Sequence, residues 1–305
     1  MRISGDQAVV AIDLGGTKLA TAVVGGRGPI YASRRAPVAK ASPEATVEQI
    51  VAEAGACVET AGFSWERIAA VGVIVPGIYD ASRATAWAPN LWGDKDVPLL
   101  AALAGCLPVP VRIDSDRAGY VLGEQWLGAA QGLSDVVFLA VGTGIGAGIL
   151  SGGRLIRGAG DIAGAVGWFA LNPQSRDISR TVGCWEAEAA GPAVARKGGR
   201  ESAQQVAEAA RRGDPAAVAI MEETACYLAM GIANLISVLN PQMVVLGGGL
   251  MQAADLLLEP IRRAVPLWAQ PRSAAQARIE LTRLGDQSGV LGAARLALDK
   301  EFAAP

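Results

Sequence analysis

The sequence contains no histidine. That absence excludes Ser-His-Asp and Cys-His nucleophilic mechanisms, and zinc held by imidazole. A general base must then be a carboxylate, Lys, Tyr or Cys. Cysteine is scarce: Cys57, Cys106, Cys184 and Cys226 are scattered, and no pair has metal-ligand spacing. Most of them read as buried free thiols in a reducing compartment. There is no basic excess, with 27 Lys and Arg against 29 Asp and Glu, so nucleic acid is not an expected partner. No apolar stretch reaches the roughly 20 residues needed to cross a bilayer. The opening MRISGDQ lacks the basic start and apolar core of a signal peptide. The expectation is a cytoplasmic protein with no membrane partner.

What is present fits a folded globular protein: 51% of residues are hydrophobic and 18% charged. A chain of 305 residues is long for one core, so two lobes are expected. Residues 7–13, 18–25 and 29–38 read as three successive strands joined by glycine-containing turns. A helix is predicted over 43–62, a buried strand over 69–77, a short helix over 97–105, a strand over 109–114 and a helix over 116–129. The segment 136–158 repeats the opening pattern of strand, Gly/Thr turn, strand, Gly-Gly turn and strand, which suggests a duplicated lobe. Helices follow over 184–195, 201–211 and 214–239, then a strand over 243–249. A helix near 252–266, a strand near 277–284 and a last helix near 289–300 complete the chain. The class is α/β, with the lobes dividing around 115–120.

The first two strands are joined by Asp13-Leu14-Gly15-Gly16-Thr17-Lys18, and the repeated hairpin carries Gly142-Thr143-Gly144. The spacing GxxxxGK[ST] of a P-loop is absent, and the GxGxxG overlap at 142–148 leads into β-rich sequence rather than a helix. A hairpin turn is a third phosphate-binding device: glycines let backbone N–H groups approach an anion, and a threonine hydroxyl donates as well. The alternative for either hairpin alone is a tight turn that needs glycine for its backbone. Asp13 suits Mg²⁺ and its waters, because a hard cation prefers carboxylate oxygen. Lys18 would balance phosphate charge. Gly247, Gly248 and Gly249 follow a buried strand, where adenine and ribose would lie on the backbone and a helix N-terminus would favour phosphate.

The strings DLGGTK, VGTGIGAG and LNPQMVVLGGGL resemble the phosphate-one, phosphate-two and adenosine motifs of the actin-like ATPase superfamily. More narrowly, the chain resembles the ROK family of bacterial sugar kinases, also in GVIVPGIYD, APNLWGDKDVPL, SDRAGYVLGE, GCWE and GDQSGVLGAA. The resemblance implies a two-lobed, ribonuclease H-like α/β fold with a central cleft. Its lobes would be 1–117 with a returning C-terminal helix 289–305, and 118–288. It implies ATP and Mg²⁺ as cofactors and a homodimer. The family motif NDANAAALGE falls on residues 115–124, which makes Asp116 the base for an acceptor hydroxyl. Asp114 is its competitor, and an N-cap role is the alternative for Asp116. Asn90, Ser115 and Glu186 match acceptor-binding positions. For Asn90 the alternative is a turn residue, and for Glu186 a charge placed favourably in a first helical turn.

The chain departs from the family at GExGH and CxCGxxGC. Gly164-Ala165-Val166-Gly167-Trp168 stands in place of the first, and only Cys184 remains of the second. One thiolate without histidine makes no tetrahedral site, so no zinc is expected. Trp168 replaces a polar acceptor ligand; it offers an indole face for ring stacking or an amine, or else it fills core. Asp161 and Arg117 are further polar candidates near the acceptor. The expected reaction is ATP-dependent phosphorylation of a hexose or hexose-like hydroxyl: a glucose-type sugar, a deoxy sugar, an amino sugar such as kanosamine, or a C7-cyclitol. Polyphosphate is an alternative donor. A non-catalytic sugar-binding protein of the same family, regulator or silent binder, is the alternative function.

Overall fold

In unit 1 the strand β1 (Ala8–Leu14) is apolar on both faces except at Asp13, the pattern of a central strand. It pairs antiparallel with β2 (Lys18–Gly25), which pairs with β3 (Ile30–Pro37). β3 is an edge strand, exposed at Arg34 and Arg35. The structure, a computed structural model, describes residues 7–173 and 177–299; residues 300–305 of the expected last helix lie outside them. Helix α1 (Pro43–Thr60) starts at an Ser42 N-cap followed by proline and buries Val47, Ile50, Ala54 and Cys57. β4 (Ile68–Val75) runs parallel to β1.

A small three-stranded sheet then follows: β5 (Ile78–Asp80), β6 (Thr85–Trp87) and β7 (Asp96–Val97), with α2 (Pro89–Trp92) between the last two. It was not expected, because strands of two or three residues show no readable period. After α3 (Leu99–Ala104), β8 (Val111–Ser115) completes the main sheet in the order β3-β2-β1-β4-β8 and leads directly into α4 (Asp116–Leu127).

Unit 2 opens with β9 (Val136–Val141), β10 (Ile145–Ser151) and the short β11 (Arg154–Leu155). Its sheet later gains β12 and β13. In between lie α5 (Asp177–Val182), α6 (Cys184–Ala189), α7 (Gly191–Lys197), α8 (Ala203–Arg211) and α9 (Pro215–Leu239). The single helix expected over 184–195 is two. Ala190 is extended, and Pro192 has no N–H to continue the ladder. Then come β12 (Met243–Gly247), α10 (Ala254–Ala264), α11 (Pro271–Gln276) and β13 (Arg278–Leu281). The sheet order is β11-β10-β9-β12-β13. This is the order of the first sheet, strand for strand, with antiparallel pairs first and parallel pairs after. The duplication read from the repeated hairpin is therefore present in the topology.

Helix α9 is long and apolar enough to cross a membrane, against the expectation that no such segment exists. Its apolar residues have another use: Met221, Leu228, Ile232 and Ile236 are buried in the unit 2 core. It begins at Asp214, whose carboxylate accepts two N–H bonds, and ends at Asn240 in the left-handed region.

The units divide differently from the expectation. Among the described residues, unit 1 comprises 7–132, 157–162 and 284–299, and unit 2 comprises 133–156, 163–173 and 177–283. The boundary is not at 117, because α4 packs extensively on the last helix, α12 (Ser288–Leu298), which itself lies on β1 and β4. Small residues permit this. A Cβ on Gly292 would fall 1.8 Å from the Gly119 carbonyl oxygen, and one on Gly123 would fall 2.6 Å from that of Ser288. Buried Glu124 locks the pair: it accepts from Leu284 N at 3.0 Å, Ser288 Oγ at 3.1 Å and Ala129 N at 2.7 Å.

Replacing Gly292 by alanine must push the two helices apart. The expected cost is about 1–3 kcal/mol or more, read as a lowered midpoint of thermal unfolding; an unchanged midpoint contradicts the crossing.

Candidate active site

β1 carries Asp13 almost to its end, opposite Ala20 on β2 and Ile74 on β4. One carboxylate oxygen, Oδ1, is buried and has no hydrogen-bond partner. The other occupies the space a side chain would need at residue 289, since a Cβ there would lie 2.0 Å from Oδ2. Burial, reinforced by the Asp116 charge and opposed by Arg35, raises the Asp13 carboxyl to about 7. An orphaned, desolvated carboxylate of this kind fits a divalent cation or its water shell.

The turn beyond Asp13 is closed by Gly15 N donating to Lys18 O at 2.9 Å. Among the described residues, the N–H groups of Gly16 and Thr17 have no acceptor within the chain. Thr17 and Lys18 are exposed. Asn90, exposed on α2, lies against this turn: a Cβ on Gly16 would sit 3.9 Å from that of Asn90. It is a helical residue and not the turn residue of the alternative.

Asp116 opens α4 but does not cap it. The cap is Ser115, whose hydroxyl accepts from Ala118 N at 3.3 Å. Asp116 Oδ1 accepts only from the neighbouring Arg117 N, at 2.7 Å. Burial raises its carboxyl to about 6, with Arg117 opposing. Its competitor Asp114 is fully committed. Oδ1 accepts from Ser115 N at 2.7 Å, and Oδ2 takes Arg157 Nε and Nη2 at 3.0 and 2.7 Å. Burial keeps its carboxyl raised even against the pull of Arg157. Arg157 carried no signal in the sequence, because its partner lies 43 residues away. Arg117 donates to Gly77 O at 3.1 Å, and Asp161 accepts from Ala81 N at 3.0 Å. The observed contacts of both are with backbone.

In unit 2 the Gly142–Gly144 turn is closed by Gly142 N donating to Gly144 O at 2.9 Å. The N–H groups of Thr143 and Gly144 have no acceptor among the described residues, which repeats the arrangement of the first turn. Glu186 in the first turn of α6 accepts from Ile145 N at 2.8 Å, and burial raises its carboxyl. Trp168 is 57% exposed, so it does not fill the core. Cys184 Sγ faces Asn172 O at 3.7 Å; all four cysteines are free, but only Cys57 is buried, against the expectation for most of them. No group of three or more metal-ligating side chains occurs among the described residues.

The three glycines after β12 divide in function. Gly247 is needed because a Cβ would lie 2.3 Å from the Phe138 ring. Gly248 has φ of +90° and would clash with Val141 O at 2.4 Å. Only Gly249 borders open space. It begins a 3-10 turn, Gly249–Ala253, and not the expected helix, which starts at Ala254.

The sequence matches the ROK family profile over residues 9–300. The chain belongs to the ROK family. It is 30% identical to a glucokinase of Streptomyces coelicolor, over 96% of this chain and 98% of that protein. Its fold matches a ROK hexokinase from Thermus thermophilus with a TM-score of 0.82 and 32% identity, covering 95% and 98% of the two chains. A ROK glucokinase from Streptomyces griseus, solved with glucose and AMPPNP, matches with a TM-score of 0.78 and 30% identity over 95% and 99%. The fold is the actin-like ATPase fold of these ROK sugar kinases.

The partly buried Asp13 makes a prediction about stability. Its native pKa lies above the unfolded value of 3.8, so the native state holds a proton that the unfolded chain releases between about pH 4 and 7. Stability therefore falls as pH rises through that window. In metal-free buffer Asp13→Asn should melt higher than the parent at pH 8, by on the order of a few kcal/mol, and the difference should vanish towards pH 4. A lower melting point at pH 8 contradicts the burial argument.

Proposed function

We propose that this ROK protein is an ATP- and Mg²⁺-dependent kinase that phosphorylates a hydroxyl of a hexose-like acceptor with Asp116 as general base. The enzyme class, a phosphotransferase with an alcohol group as acceptor, is that of its glucokinase relatives. The observation that carries the base assignment is the contrast between two neighbouring carboxylates. Asp114 has both oxygens engaged, whereas among the described residues Asp116 Oδ2 has no hydrogen-bond partner, and its carboxyl is raised to about 6. A carboxylate with that affinity accepts a proton better than an ordinary one, yet is ionised at neutral pH.

In the proposed reaction the acceptor hydroxyl passes its proton to Asp116 as its oxygen bonds the γ-phosphorus. The bond from that phosphorus to the β–γ bridging oxygen breaks, ADP leaves, and Asp116 then releases the proton to water. Base catalysis of this kind contributes about 10²–10⁴-fold; alignment and charge stabilisation supply the rest. The free N–H groups of Gly16 and Thr17, and of Thr143 and Gly144, suit phosphate oxygens. Gly15 and Gly142 shape those turns, and Lys18 contributes charge. Gly247, Gly248 and Gly249 are assigned to the nucleoside. Asp13 would hold Mg²⁺ through water, supplying charge neutralisation at the phosphates.

Asn90, Ser115, Trp168 and Glu186 are assigned to the acceptor. The exposed indole of Trp168 favours an acceptor with an apolar ring face or an amine, so amino sugars, deoxy sugars and C7-cyclitols belong in the panel beside glucose. A cytoplasmic homodimer without zinc completes the proposal; light scattering reads the subunit number and metal analysis the zinc content. Repressors also occur among the relatives, but the regulator reading leaves the partly unpartnered Asp116 unexplained.

With the best acceptor of such a panel, Asp116→Asn should lose about 10²–10⁴-fold in kcat while keeping AMPPNP affinity. For the parent, kcat/KM should fall with unit slope as pH drops below about 6, the value to which burial raises Asp116; a flat profile down to pH 4.5 rules Asp116 out as the base. Trp168→Ala should raise the acceptor KM several-fold and Trp168→Phe much less, with the KM for ATP unchanged in both. An equal rise in both KM values contradicts the stacking role.

A further inference from the structure

We infer that Glu186 is a positioning residue for the Gly142–Gly146 turn, so that one side chain sets the nucleotide turn as well as meeting the acceptor. The inference rests on the reading that this turn receives nucleotide phosphates. One short stretch of chain, from α6 into α7, holds the turn at both ends. At one end Ile145 N donates to Glu186 Oε2 at 2.8 Å. At the other, Gly191 N donates to Gly142 O at 2.8 Å. The carboxylate is seated between two glycines: a Cβ on Gly144 would lie 2.7 Å from Oε2, and one on Gly167 would lie 3.0 Å from it. The glycines thus make room for a carboxylate as well as for a phosphate. Among the described residues the Glu186 carboxylate accepts no other hydrogen bond, so Oε1 is left for the acceptor.

With the turn held at both ends, the N–H groups of Thr143 and Gly144 have no acceptor among the described residues. Without the bond to Ile145, those donors lose their fixed direction, and a preorganised anion site becomes a mobile one. The feature that matters is an oxygen acceptor, not a negative charge. Charge so close to a triphosphate is unfavourable. A glutamine, whose amide oxygen takes the same N–H, should serve as well or better for the nucleotide.

The test is titration calorimetry with AMPPNP and Mg²⁺, and separately with adenosine, on the parent, Glu186→Ala and Glu186→Gln. The expected result is AMPPNP affinity about tenfold or more lower in the alanine variant, and retained or improved in the glutamine variant. Adenosine affinity should be equal in all three, which general damage to unit 2 would not produce. Should Glu186→Ala fail to fold, Glu186→Met keeps a side chain of similar length without the oxygen acceptor and should weaken AMPPNP selectively. Parent-like AMPPNP binding by the alanine variant overturns the inference, as does an equal loss with glutamine. A parent protein that binds neither ligand overturns the kinase reading itself.

Discussion

The arrangement depends on how closely α12 approaches β1 and α4. At Gly289 the helix backbone comes so near β1 that the Asp13 carboxylate fills the space of a missing side chain. Three residues on, Gly292 meets Gly119 of α4 at a distance no Cβ would allow. The crossing fixes α4 against the sheet, and α4 begins with Asp116. One helix of small residues, from the far end of the chain, thereby sets both carboxylates to which the chemistry is assigned. Glu124, buried and bonded to the start of α12, keeps that register. The energy for the arrangement comes from apolar burial along β1, β4 and α12. It is opposed by the cost of an orphaned anion.

That opposition has a functional sense. Both carboxylates are desolvated, and each raises its affinity for a proton or a cation. Asp114, only two residues before Asp116, is neutralised by Arg157 and bound to the Ser115 N–H. It thereby steadies the end of β8 and leaves the base to its neighbour. Unit 2 uses the same hairpin design, and there the closing contacts come from α6 and α7 rather than from a terminal helix.

Much of this was legible in the sequence. Long apolar runs such as AVVAID and VVFLAV gave the central strands, and the repeated hairpin gave the duplicated topology. The glycine turns stood out through their residue types, and Asp116 through the resemblance of residues 115–124 to a family motif. What escaped were features whose partners are distant or whose elements are short. The β5-β6-β7 sheet has too few residues per strand to show a period. Arg157 acquires meaning only through Asp114. The division of the chain at 132 rather than 117 depends on packing between helices more than 150 residues apart. The three glycines at 247–249 looked alike, yet two answer to packing and one to open space. Trp168 shows the converse: substitution at a family ligand position marked it in the sequence, but only its exposure excludes core filling.

The most direct measurement is the turnover of Gly289→Ala with ATP and the best acceptor, at a temperature where circular dichroism shows the variant folded. The added methyl cannot share space with the Asp13 carboxylate, and displacement of such a group by about 1 Å is worth on the order of 10² in rate. A loss of that size with native-like helix content is the predicted result. Turnover equal to the parent's would contradict the claim that the approach of α12 to β1 sets the site.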